Sequence, residues 1–238
     1  MFLKVKNLDF KYNSGDDEIL KNINFELEEG DIVCILGESG SGKSTLLRLL
    51  AGLEKPEQGV IEIDDQTVVD SDKFVLPEER EIGVVFQDYA LFPHMTVEDN
   101  ILFGIKDRDE QYKKDKLKDL LRLIGLTEYK SQYPHQISGG QKQRVSLARA
   151  LARDPSLIVM DEPFSSLDAN LQSKIRKELK EILKVTGTTS IFVSHDQEDA
   201  VSIADRVIIL ENGEIVQQGV TDEIINNPNS EYVAGLFS

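Results

Sequence analysis

The sequence predicts an α/β fold: a mostly parallel sheet with helices, an antiparallel β subdomain, and an α-helical subdomain inserted into the core. Three observations carry that expectation. Short apolar runs at 32–36, 157–160, 190–193 and 207–210 have the look of strands buried on both faces, and the last three are separated by helix-length segments. A glycine-rich loop stands between the first of these runs and a helical pattern. The stretch 93–152 breaks the alternation and reads as all helical.

Taken in order, residues 2–10 and 23–27 alternate apolar with polar, as half-buried strands do, around the turn Asn13-Ser14-Gly15-Asp16-Asp17. The run 32–36 holds the single cysteine, Cys34, which reads as a small core residue and excludes an intrachain disulfide. Thr45-Leu46-Leu47-Arg48-Leu49-Leu50-Ala51 reads as a helix ended by Gly52. Residues 59–63 and 82–86 are further strands. Within 93–152, Thr96-Val97-Glu98-Asp99 and Ser138-Gly139-Gly140-Gln141 resemble capping boxes, and 113–124 carries an apolar stripe at helical spacing. The charge-rich run 106–118 fits a solvated helix face. Asn212-Gly213 marks a hairpin, and Thr221-Asp222-Glu223-Ile224-Ile225 a short helix. The expected organisation is one domain over 1–238: a core with its β subdomain at about 1–92 and 153–238, and the helical subdomain at about 93–152.

Composition narrows the partners. A net charge of −16 argues against nucleic acid as the main partner and against anionic lipid. The N-terminus has no signal-peptide pattern, and no run approaches the roughly 18 apolar residues of a membrane span. Work at a membrane would go through a partner.

Gly37-Glu38-Ser39-Gly40-Ser41-Gly42-Lys43-Ser44 matches a phosphate-binding loop at every fixed position, between an apolar strand and a helix. Glycines let successive N–H groups curl toward an anion, and the helix start adds its partial positive charge. Lys43 then offers an ammonium to the β- and γ-phosphates, and Ser44 a hydroxyl to Mg²⁺. Leu157-Ile158-Val159-Met160-Asp161-Glu162 ends a buried strand in two carboxylates. Asp161 is a candidate Mg²⁺ holder and Glu162 a candidate general base. Together these predict a P-loop NTPase core that takes a nucleoside triphosphate.

Ile137-Ser138-Gly139-Gly140-Gln141 resembles the Leu-Ser-Gly-Gly-Gln signature of the ATP-binding cassette subunits, departing only by Ile for Leu. The resemblance covers essentially the whole chain. It implies ATP and Mg²⁺ as ligands, with Gly37 to Thr45 around the phosphates. Tyr12 looks like the aromatic that stacks on adenine. Gln87 looks like the glutamine that contacts Mg²⁺ and the transporter. Ser165-Ser166-Leu167-Asp168 looks like the loop that crosses to a second subunit, with Asp168 at the nucleotide. His195 looks like the switch histidine at the γ-phosphate. Family members pair head to tail, which puts Ser138, Gly139, Gly140 and Gln141 of one subunit on the ATP of the other. A homodimer is the expected pair.

The segment from Val84 to Val97, with Phe86-Gln87 and Leu91-Phe92-Pro93-His94, is similar to importers handling ferric iron, polyamines, sulfate, thiamine and sugars. That likeness implies integral membrane permease subunits, a solute-binding protein acting indirectly, and a place at the cytoplasmic face of the cell membrane. Ferric iron is the expected solute. The rival reading is a soluble cassette ATPase of cluster assembly or of nucleic-acid or ribosome work. Many relatives of this group continue into a C-terminal regulatory domain, so regulation of that kind is not assumed for a sequence ending at Ser238.

Overall fold

The computed structural model describes residues 1–238 except Ser14, Asp16, Ser166, Asp168 and Ser238, and the side chains of Ala169 and Asn170. Among the described residues the strands are β1 (Leu3–Phe10), β2 (Leu20–Leu27), β3 (Ile32–Leu36), β4 (Gln58–Ile63), β5 (Gln66–Val69), β6 (Ile82–Val85), β7 (Leu157–Asp161), β8 (Thr189–Ser194), β9 (Arg206–Glu211) and β10 (Glu214–Val220). The helices are α1 (Lys43–Leu50), α2 (Val97–Leu102), α3 (Glu110–Leu123), α4 (Gly139–Leu151), α5 (Ala169–Thr186), α6 (Gln197–Ile203), α7 (Thr221–Asn226) and α8 (Glu231–Leu236).

Two sheets form. The smaller is antiparallel, in the order β2-β1-β4-β5. The larger has the order β10-β9-β3-β8-β7-β6, parallel from β9 through β6, with β10 antiparallel at one edge. Every residue of β3 is buried because the sheet is covered on both faces. Side chains alternate across a strand, so Val33 and Ile35 join one core with α1 and the antiparallel sheet, whereas Ile32, Cys34 and Leu36 join another with α4 and α5. Cys34 is wholly buried, as the sequence suggested.

Between β6 and β7 the described structure is helical. Thr96 caps α2 through a reciprocal box with Asp99, and Ser138 caps α4 through one with Gln141. The wholly buried Asn100 locks the chain before α2. Its Oδ1 accepts from the Phe92 N–H, and its Nδ2 donates to the Phe92, Met95 and Thr96 carbonyls. This fixes how the chain leaves β6. Because β3, β6, β7 and β8 run parallel, their carboxyl ends share one edge, and the loops carrying Gly37, Gln87, Glu162 and His195 gather there.

Candidate functional site

The loop after β3 is shaped by close approaches that only glycine tolerates. A Cβ at Gly37 would stand 2.2 Å from the Leu210 carbonyl oxygen, and one at Gly42, where φ is +101°, would stand 2.7 Å from Leu20 Cδ2. Gly42 is the left-handed N-cap of α1 and no side chain caps that helix, which leaves its first N–H groups for an anion. The Lys43 side chain is folded back on the loop: its Nζ donates to the Gly37 carbonyl at 2.8 Å and to the Glu38 carbonyl at 2.6 Å. Burial pulls the Lys43 pKa below its ordinary value, opposed by the negative potential of Glu162, Asp161 and Glu38. Tyr12 lies beside the first turn of α1. Its ring is half exposed, meets Phe10 edge to face at 4.9 Å, and holds its hydroxyl 3.4 Å from Thr45 Oγ1.

The acidic pair at the end of β7 joins this loop. Ser44 Oγ donates to Asp161 Oδ1 at 2.7 Å. Glu162 sits at φ +42°, a strained conformation for a residue with a side chain. Its carboxylate lies between two residues that the resemblance also singled out: Oε1 is 3.4 Å from His195 Nδ1, and Oε2 accepts from Gln87 Nε2 at 3.3 Å. Gln87 Nε2 also reaches Ser165 Oγ at 3.1 Å, and Ser165 Oγ donates to the Glu162 carbonyl. A cleft of about 560 Å³ opens here, walled by Ser39, Gly40, Lys43, Ser44, Thr45 and Glu162, with Asn212 and Gly213 opposite. The described residues contain no cluster of three histidine, cysteine or acidic groups fit for a metal. Ser44 and Asp161 instead supply two hard oxygens, which suits an ion that keeps waters and takes phosphate oxygens.

The structure does not bring Ser138, Gly139, Gly140 and Gln141 to this cleft. They open α4, where Ser138 Oγ accepts from the Gln141 N–H and Gln141 Oε1 accepts from the Ser138 N–H. Both glycines serve close packing. A Cβ at Gly140 would meet Ile175 Cδ1 at 2.5 Å, and one at Gly139 would meet Leu167 Cδ2 at 3.1 Å. The candidate Asp168 lies outside the described residues.

Comparison with known proteins decides the family. Residues 20–165, more than half of the chain, match the family described as ABC transporter. The chain belongs to the ABC transporter family. It is similar to the probable sulfate/thiosulfate import ATP-binding protein CysA of Chlorella vulgaris, 43% identical over 239 residues that cover 100% of this chain and 99% of that protein. It is 43% identical to the trehalose/maltose import ATP-binding protein MalK of Thermococcus litoralis, over 94% of this chain and 61% of that one. The chain likewise spans only 61–65% of the length of six further CysA relatives. The dimeric post-hydrolysis structure of the ATP-binding cassette MJ0796 bound to ADP and Pi superposes with a TM-score of 0.77 at 35% identity, covering 92% of this chain and 98% of that one.

Two parts of this ABC cassette's site were not legible as such. Asn212-Gly213 reads in the sequence as a hairpin turn, and it is one, between β9 and β10. The turn also braces the phosphate loop, because the Gly213 N–H donates to the Ser41 carbonyl and the Gly213 carbonyl accepts from the Lys21 N–H. Ser165 reads as part of a crossing loop, whereas here its hydroxyl ties Gln87 to the Glu162 backbone.

Proposed function

We propose that this cassette binds ATP with Mg²⁺ and hydrolyses it as the energising subunit of an importer. The observation that carries the reading is Glu162, held between His195 and Gln87 beside the Lys43–Ser44 helix start. Lys43 neutralises β- and γ-phosphate charge once it leaves the loop carbonyls, and the free N–H groups of α1 take the phosphate oxygens. Tyr12 offers its exposed ring to adenine. Ser44, Asp161 and Gln87 would hold Mg²⁺, which would supply charge neutralisation for the transferred phosphate. Glu162 accepts the proton of the attacking water, and His195 orients that water and the γ-phosphate from the other side.

Ser138 to Gln141 lie outside the cleft, and in this reading they meet ATP of a second cassette. The dimeric state of the MJ0796 cassette supports that pairing. No described helix is long and apolar enough to cross a membrane. The likeness to import ATP-binding proteins supports permease subunits that span it, with the cassette on their cytoplasmic face. The segment from Val84 to Val97, with Gln87, is the part that meets them, and a solute-binding protein delivers the solute. The relatives named above import sulfate/thiosulfate or trehalose/maltose, which favours an oxyanion or a sugar and gives the ferric iron expected from the sequence no support.

The test is Mg²⁺-dependent ATP hydrolysis by the purified chain and its Glu162→Gln variant. Removing a general base costs roughly 10²–10⁴-fold in turnover, with ATP binding retained. Near-normal turnover in the variant refutes the assignment. Uptake of labelled sulfate and of labelled maltose, in cells with and without the gene, separates the two solutes.

A further inference from the structure

Helix α5 carries a buried arginine that the site chemistry above does not use. Arg176 is 3% exposed, and its guanidinium makes three charge-assisted bonds at once. Its Nε donates to Asp199 Oδ1 at 2.6 Å, Nη1 to Glu198 Oε2 at 2.7 Å, and Nη2 to Asp196 Oδ2 at 2.6 Å. All three acceptors follow His195 directly, in the turn after β8 and the first turn of α6. The constraint also runs back to the residue before His195. Ser194 Oγ donates to Asp199 Oδ2 at 2.5 Å and accepts from the Asp196 N–H at 2.9 Å. Both chain neighbours of His195 are therefore held by one guanidinium, Asp196 directly and Ser194 through Asp199.

His195 itself has little else to fix it. Its side chain is 58% exposed, and among the described residues its one ion pair or hydrogen bond is the 3.4 Å contact with Glu162. The imidazole goes where its backbone puts it. Stability alone does not call for such a network, because well-packed apolar residues replace buried ion networks at little cost or at a gain. What an arginine gives is geometry: a rigid planar fork that engages three carboxylates in fixed directions, which the single ammonium of lysine does not match. The same helix also holds the segment beyond Glu162, since Gln172 Nε2 donates to the Phe164 and Leu167 carbonyls at 3.2 and 3.3 Å. Arg176 lies one turn further along the same face of α5, so the segments carrying Glu162 and His195 are both referred to one rigid element.

We propose that Arg176 is the positioning residue for His195: its guanidinium, clamped on Asp196, Glu198 and Asp199, sets where the imidazole stands against Glu162. This rests on the reading of His195 as a residue of the hydrolytic site.

The chain has only three histidines, His94, His135 and His195, so imidazole NMR signals report position directly. The experiment compares wild type with Arg176→Lys and Arg176→Met by imidazole NMR, ATPase kinetics and thermal melting. The expected result is a displaced, broadened His195 signal with the His94 and His135 signals unmoved. The kcat falls roughly 10–100-fold, the loss typical of a misplaced supporting group, while the KM for ATP changes by less than about twofold. Lys, which keeps the charge on a single donor nitrogen, loses less than Met. Should the Arg176 variants not fold, Asp196→Asn carries the same expectation: asparagine still caps α6 but no longer pairs as a charge with Nη2. A His195 signal that stays put, three signals that move together, or a KM that rises as far as kcat falls each overturns the positioning role. A His195→Ala control distinguishes the two levels. Near-wild-type turnover in it removes the underlying reading and this inference together, whereas a dead control beside fully active Arg176 variants removes this inference alone.

Discussion

The residues to which the proposed function assigns the chemistry are held in conformations that cost energy on their own. Glu162 takes a left-handed backbone, and Lys43 is buried with burial opposing its charge. An ammonium held this way is set against anions already present in the ground state, so Lys43→Ala weakens ATP binding more than it slows bound-state chemistry. Hydrogen bonds to charged groups contribute about 1.5–3 kcal/mol, or roughly 10–150-fold in affinity, and calorimetry of ATP binding reads this directly; an unchanged affinity contradicts the role. These residues were legible because their motifs are local: the phosphate loop, the acidic strand end and the Ser138 box each lie within a few positions. Arg176 was not, since its three acceptors stand 20 to 23 residues away and no local pattern announces them. The strain at Glu162 was hidden for the opposite reason, as the sequence gives its neighbours but not its φ.

At the scale of elements, the strands buried on both faces were the easiest to read, because a continuous apolar run has few other meanings; β3, β7, β8 and β9 follow it closely. The short edge strand β5, with polar Gln66 and Thr67 at its start, has no such signature and was missed. The long helix α5 was expected only as spacing between strands. Helix α1 shows how an element serves the site from both ends. Its uncapped start faces the cleft, whereas its far end is closed by Arg80, 3% exposed, whose Nη1 donates to the Leu49 and Leu50 carbonyls at 2.8 Å and whose Nε donates to the Val75 carbonyl. Burial pushes the Arg80 pKa down to about 10, so the side chain stays charged at neutral pH. Arg80→Met removes the side-chain donor from the Leu50 and Val75 carbonyls, leaves Leu49 with the Gly52 N–H, and is expected to destabilise the chain by about 2–4 kcal/mol. Urea unfolding measures it, and a midpoint within error of wild type defeats this account of how α1 is anchored.

At the scale of the whole molecule, the two helix starts that the proposed function turns toward phosphate belong to different surroundings. That of α1 opens into the cleft, and that of α4 is packed against α5 and lines no part of the cleft. In the proposed function a single ATP meets both only when two chains come together, and this gives a prediction about assembly. Glu162→Gln, which blocks hydrolysis, is expected to be monomeric without nucleotide, to dimerise with ATP, and to stay monomeric with ADP. The γ-phosphate makes the difference, because it extends furthest from the α1 helix start and carries the charge that a second helix start attracts. Each chain carries a net charge of −16, so two copies repel at long range. Salt screens that repulsion beyond a Debye length of about 10 Å at 0.1 M, so moderate salt strengthens the ATP-bound dimer, until higher salt begins to screen the close contacts with the phosphate as well. Sedimentation with ATP and with ADP at several salt concentrations reads both effects. Equal dimerisation with ADP, or a monomer in saturating ATP at every salt, counts against a nucleotide shared between two chains.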